Sequence, residues 1–272
     1  MQKNSENILG FIKLETGDKG ISPLNDVFLS YTFQQEAYWE TLRRMTNIFY
    51  EDYIANCSET KIKPIEGEIV VKTQFPHFRN FSTSTPKEQD VQIESSVQID
   101  YIEFQNDVYP RIPIEMRSVE YFGFSLTRGK DKQATNMWLL NGSVSKLLDG
   151  NIYSNYILMD EVNHRPHPSS SNLLYVDLKR LAQTRSQAGE LAGVLVGKIA
   201  EPIDSDVKLI FKNLKHSFNT FKADTEVKNI MTKAEILVER GEARGEAKAQ
   251  VIIDKQNERI KELEALLVKN TE

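Results

Sequence analysis

The sequence predicts an α/β protein, a mixed sheet flanked by helices with a helical C-terminal extension. Three patterns predict it. Residues 91–119 alternate apolar and polar side chains, the mark of strands with one buried face. Residues 33–56 repeat apolar side chains at three- and four-residue steps, the mark of a helix with one buried stripe. From about residue 187 onward only helical patterns occur. Strands first and helices later give a mixed core followed by a helical part.

Residues 1–20 are polar, with Gly10, Gly17 and Gly20, and read as a loose lead-in. Pro23 to Phe28 docks a short element, in which Asp26 reads as a helix cap or an additional metal-site acid. In the first long helix, Phe33 to Asn56, Tyr38, Leu42, Met45, Ile48, Phe49 and Tyr53 fall in step. Ile65 to Phe75 reads as a strand, and the Pro- and Ser-containing stretch 76–90 as a loop.

Residues 91–119 read as a hairpin around which the chain is organised. Its first arm carries Val91, Ile93, Val97, Ile99 and Tyr101, and its second Ile112, Ile114 and Met116, with Asn106-Asp107 as the turn. That register pairs Asp100 with Pro113 and Gln98 with Glu115. Asp100, Glu115 and Arg117 then share the polar face, the two acids about 7 to 8 Å apart at the backbone. Two such acids can hold Mg²⁺ or Mn²⁺, which activates a water and steadies charge on phosphate oxygen. A neighbouring cation offsets the charge of the transition state. The same pattern also describes a solvated strand face with a surface ion pair.

Lys132 to Leu148 reads as a helix, with Met137, Leu140, Val144 and Leu147 in step and Gly150 beyond its end. Ile152 to Met159 and Asn172 to Leu178 read as two further strands. His164 and His167 between them lack a third metal ligand of matching type. Helices follow at 187–200 and 203–221, separated at Pro202. Residues 223–269 are rich in Ala, Glu, Lys and Arg. Ile253, Ile260 and Leu267 form a short heptad seam there, through which a homo-oligomer could assemble as a coiled coil.

Asp100, then Ile114-Glu115-Met116-Arg117, resembles the active-site hairpin of the PD-(D/E)XK nuclease superfamily. More narrowly it resembles the bacterial recombination-promoting nuclease/transposase family. That family carries an Asp near the start of one strand and Glu-x-Gln on the next. Leu24-Asn25-Asp26-Val27-Phe28, Asn47-Ile48-Phe49, Gly150-x-x-Tyr153 and the charged, glycine-spaced run 239–246 resemble further parts of it. Arg128 falls where the family has an Arg soon after its Glu-x-Gln. Arg117 stands where Gln or Lys is usual, and no Tyr follows Arg128 by a few residues.

The resemblance implies a restriction-endonuclease-like core over 21–185, a helical subdomain at 186–222 and a charged helix at 223–272. It implies a metal-dependent DNA endonuclease of the transposase or recombination-promoting type. Asp100 and Glu115 would bind Mg²⁺ or Mn²⁺ with the Met116 carbonyl, Arg117 would complete the catalytic set, and Arg128, Lys130 and Lys132 would contact phosphates. The alternative is an inactive nuclease-fold protein that binds DNA or protein. Arginine retains a charge but cannot act as a general base.

The 272 residues carry a net charge of −5. A DNA-binding chain of that balance must concentrate its basic side chains locally. Cys57 is the one cysteine, which rules out an internal disulfide framework and fits a reducing cytoplasm. No apolar run approaches a membrane span, and MQKNSENILGFIKLE lacks a signal-peptide pattern.

Overall fold

The computed structural model describes residues 24, 26–57, 60–73, 91–105, 114–128, 132–141, 148–165 and 171–224. It describes only the backbone at 26, 27, 124–128 and 222. The heptad seam, Asn106-Asp107, Lys130 and His167 lie outside this set, as do the side chains of Asp26 and Arg128. The chain divides into two units, Met1–Phe221 and Lys222–Glu272. Residues 186–221 therefore belong to the same unit as the sheet.

The elements are helix α1 (Asp26–Phe33), a 3-10 turn (Glu36–Tyr38), helix α2 (Trp39–Asn56), strands β1 (Val70–Thr73), β2 (Val91–Glu94) and β3 (Gln98–Gln105), and helix α3 (Ile114–Arg128). Strands β4 (Gln133–Leu140), β5 (Tyr153–Ile157) and β6 (Asn172–Asp177) follow, then helices α4 (Leu178–Leu181), α5 (Gln187–Leu195) and α6 (Ser205–Ala223). The six strands form one mixed sheet in the order β1-β2-β3-β4-β6-β5. β3, β4 and β6 run parallel at its centre, and antiparallel partners lie on either side. Among the described residues, no helix is long and apolar enough to cross a membrane.

Helices cover both faces of the sheet. α2 lies on one, where Tyr50 reaches Asp100 of β3. Asn47 of α2 clamps the extended segment before β1, donating to the Ile65 carbonyl at 3.0 Å and accepting from its N–H at 2.7 Å. α6 stacks Phe218 and Phe221 edge-on against Phe28 of α1, both at 5.4 Å. α3 covers the other face, where Ile114, Tyr121, Trp138, Leu140, Leu148, Leu173 and Tyr175 form a buried cluster.

The predicted helix 33–56, the strands near 70, 152 and 172, and the helices on either side of Pro202 are present, with shifted ends. Two expectations are corrected. First, residues 91–105 are themselves a hairpin, and the supposed second arm is helix α3. Ser95 makes the turn: its hydroxyl accepts from the Gln98 N–H at 3.2 Å, and its own N–H donates to the Gln98 carbonyl at 3.0 Å. The alternation at 112, 114 and 116 is too short to separate the two periods. Over a longer window the buried residues are Ile114, Ser118 and Tyr121, a helical spacing. Glu115 in the first turn also suits a helix N-terminus.

Second, residues 133–140 form strand β4 rather than a helix. β3 and β6 flank it and both faces are covered, so every residue from Ala134 to Leu140 is buried. A central parallel strand has no wet face and so loses its alternation. Chance apolar positions at 137 and 140 then imitate a helical stripe.

Two glycines carry predictions of opposite sign. A β-carbon at Gly189 would lie 2.7 Å from the Thr184 carbonyl oxygen and 2.8 Å from that of Leu181. Gly189→Ala is expected to cost about 1–3 kcal/mol, because backbone must move. Gly123, exposed within α3, has nothing within 4 Å of that position. Gly123→Ala is expected to stabilise by about 0.5–1 kcal/mol. Urea unfolding of both variants checks the signs.

Candidate functional site

The register of β3 decides which acids can meet. Ile93 pairs with Asp100 and Val91 with Ile102, so even-numbered β3 residues face α2 and odd-numbered ones face α3. All eight residues of β3 are buried, so neither face is wet. Asp100 therefore points to the α2 side, whereas Glu115 rides on α3 across the sheet. The expected Asp100–Glu115 metal pair is not formed.

Asp100 is 1% exposed. Its carboxylate accepts from the Tyr50 hydroxyl and the Gln98 amide, each at 2.8 Å. Burial pushes its pKa up to about 7, against the lowering effect of those two hydrogen bonds. Asp100 is thus a buried acid, hydrogen-bonded to Tyr50 and Gln98.

The other predicted site residues are also dispersed. Met116 is exposed in the first turn of α3 and its carbonyl belongs to a helix, not to a strand beside two acids. Lys132 donates to Glu94 and to the Ser95 carbonyl, both at 2.8 Å, at the turn end of the β2–β3 hairpin. Lys132 and Lys72 together hold the Glu94 carboxyl below its usual range.

Arg117 is the predicted residue around which a site does form. Its partners are Glu103 and Gln105, which sequence reasoning missed. Two residues apart on a strand, they project to one face, toward α3. Arg117 Nη1 donates to Gln105 Oε1 at 2.8 Å, and Nη2 pairs with Glu103 Oε1. The Glu103 side chain is 4% exposed and that of Arg117 20%. The guanidinium carbon lies 5.4 Å from the Trp138 ring centre and 5.9 Å from that of Tyr121. Trp138 is beside Glu103 because β4 places it in register there, and Tyr121 follows Arg117 by one helical turn. The buried Trp138 indole N–H has no acceptor among the described residues. Nearby, Ser118 and Tyr175 share a hydroxyl–hydroxyl hydrogen bond, and burial raises the Tyr175 pKa to about 12.

Glu103 and Gln105 thus bring two side-chain oxygens onto one positive charge. Oxygen donors of this kind suit Mg²⁺ or Mn²⁺, which commonly bind one or two carboxylates and draw other ligands from water and phosphate. Here the Arg117 guanidinium stands in the cation position. Among the described residues, no three acids, histidines or cysteines cluster as a metal site. The signal that could have found this pair was the Glu-x-Gln spacing itself, inside the stretch read as the first arm. Comparison of the chain with protein-family models, curated proteins and solved structures finds no match.

Proposed function

We propose that the chain is a metal-dependent DNA endonuclease of the PD-(D/E)XK superfamily, with its site at Glu103 and Gln105. The observation that carries the reading is the convergence of those two oxygens on a single cation. Moving the resemblance to this register also removes its two departures. Glu103-Phe104-Gln105 supplies the Glu-x-Gln on a strand, Arg117 is the Arg that follows, and Tyr121 is the Tyr four residues later. The mixed sheet flanked by helices accords with the implied core. The acid expected on the preceding strand would be Asp90, adjacent to Val91 in the sequence and outside the described residues.

A bound divalent ion would lower the pKa of a coordinated water and offset charge on the phosphate. Glu103 supplies the anionic ligand and Gln105 a neutral one. Arg117 supplies a charge-assisted, two-pronged contact suited to phosphate oxygens. Burial of Glu103 strengthens its attraction for a cation by removing competing water.

The same ion pair favours a second reading, a nuclease-fold module without turnover, because Arg117 already neutralises Glu103. A plasmid-nicking assay with Mg²⁺ or Mn²⁺ decides between them. Wild type and Asp100→Asn, altered on the far face, are expected to nick DNA. Glu103→Gln is expected to lose at least about a hundredfold, comparable to removal of one preorganised electrostatic contact. Equal nicking by Glu103→Gln, or none by wild type, overturns the endonuclease reading.

A further inference from the structure

We infer that Arg117 is a tethered cation that competes with the divalent ion for the Glu103 and Gln105 oxygens, so that ion binding requires the arginine to let go. This rests on the metal-dependent reading above and adds a regulatory contact to that site.

Three observations carry it. The two side chains that would ligate the ion, Glu103 and Gln105, each have an oxygen engaged by Arg117. They sit on β3, whereas the arginine arrives from α3, so the contact joins two elements and can open without disturbing the strand. The guanidinium also has a second hold on the rings of Trp138 and Tyr121, which does not involve the carboxylate. Sliding off the acid therefore leaves it against aromatic faces that favour a cation.

Electrostatics favours the exchange. A divalent ion and a guanidinium held on one buried carboxylate repel each other more strongly than they would in water. The carboxylate cannot serve both at full strength, and whichever cation leaves increases its affinity for the other. Arg117 is then a positioning and gating residue, acting through Glu103. Its release would occur at the moment a phosphate-bearing substrate supplies a new partner for the guanidinium.

Isothermal titration of Mn²⁺ into the full-length protein, without DNA, tests this directly. Arg117→Gln and Arg117→Met are each expected to bind Mn²⁺ about tenfold or more tightly than wild type. Arg117→Lys, which restores a competing charge, is expected to return toward wild-type affinity. Glu103→Gln is expected to show no binding. If either folded neutral variant binds Mn²⁺ no more tightly than wild type, the competition is refuted while the metal site stands. If wild type and both neutral variants all fail to bind Mn²⁺, the inference and the metal-dependent reading fall together.

Discussion

Glu103→Ala is expected to destabilise the protein by about 3–5 kcal/mol when unfolding is measured in chelator. The substitution leaves Arg117, largely buried, facing an empty acid position. Breaking a buried pair from one side costs this much because the surviving charge stays in a medium that solvates it poorly. Gln105 holds one prong of the guanidinium but carries no charge to compensate it. Replacing both partners, as in Glu103→Met with Arg117→Met, removes both charges and is expected to recover more than half of the loss. Trp138 and Tyr121 then pack against aliphatic rather than cationic groups. Guanidinium chloride or urea midpoints on the two single variants and the double variant give the coupling energy. A single-variant cost below about 1 kcal/mol would mean that water reaches the pair and that it behaves as an ordinary surface contact.

Asp100 predicts a pH dependence instead. An ordinary aspartate ionises near 3.8, and the buried Asp100 near 7. Below about pH 4 the proton is bound in both folded and unfolded chains, and burial of the neutral acid carries no ionisation penalty. Between about pH 4 and 7 the unfolded chain releases the proton while the folded chain keeps it. The unfolded state then binds fewer protons, so stability falls as pH rises. Above about pH 7 both states are ionised, and the folded state bears the full cost, roughly 4 kcal/mol from the gap between the two values.

Asp100→Asn cannot ionise and escapes this slope. Its amide oxygen still accepts from Tyr50, and Gln98 can turn its own amide to present oxygen to the new NH₂ group. Wild type is therefore expected to match or exceed the variant in stability at pH 4 and to fall below it at pH 8. Denaturant unfolding of both proteins across that range reads the difference. Groups that titrate identically in the two proteins cancel, and a difference that stays flat with pH would sink the prediction. The pair of substitutions also separates the two sides of the sheet. Asp100 belongs to the α2 face, where it meets Tyr50, whereas Glu103 belongs to the α3 face, where it meets Arg117.

The residues that periodicity described well are those with one wet side. Helix α2 could be read because Leu42, Met45, Phe49 and Tyr53 are buried while Glu40, Glu51 and Ala55 are exposed. α5 and α6 could be read because Pro202 separates two stretches of helical pattern. The Glu-x-Gln spacing and the Arg-x-x-x-Tyr that follows were equally present in the sequence. Alternation does not reveal them, because β3 is buried on both faces and has no polar side.

By itself, then, the sequence determined the α/β class, the long first helix and the outlying strands. Tertiary structure alone decided that β3 and β4 are buried on both sides, that residues 114–128 coil rather than extend, and which acids face one another. The physical reason is that a strand's alternation records contact with water, and a strand enclosed by neighbours and helices has no water to record. Which side of such a strand an acid occupies is set by register with β2 and by the element packed above it, so Asp100 went to Tyr50 and Glu103 to Arg117.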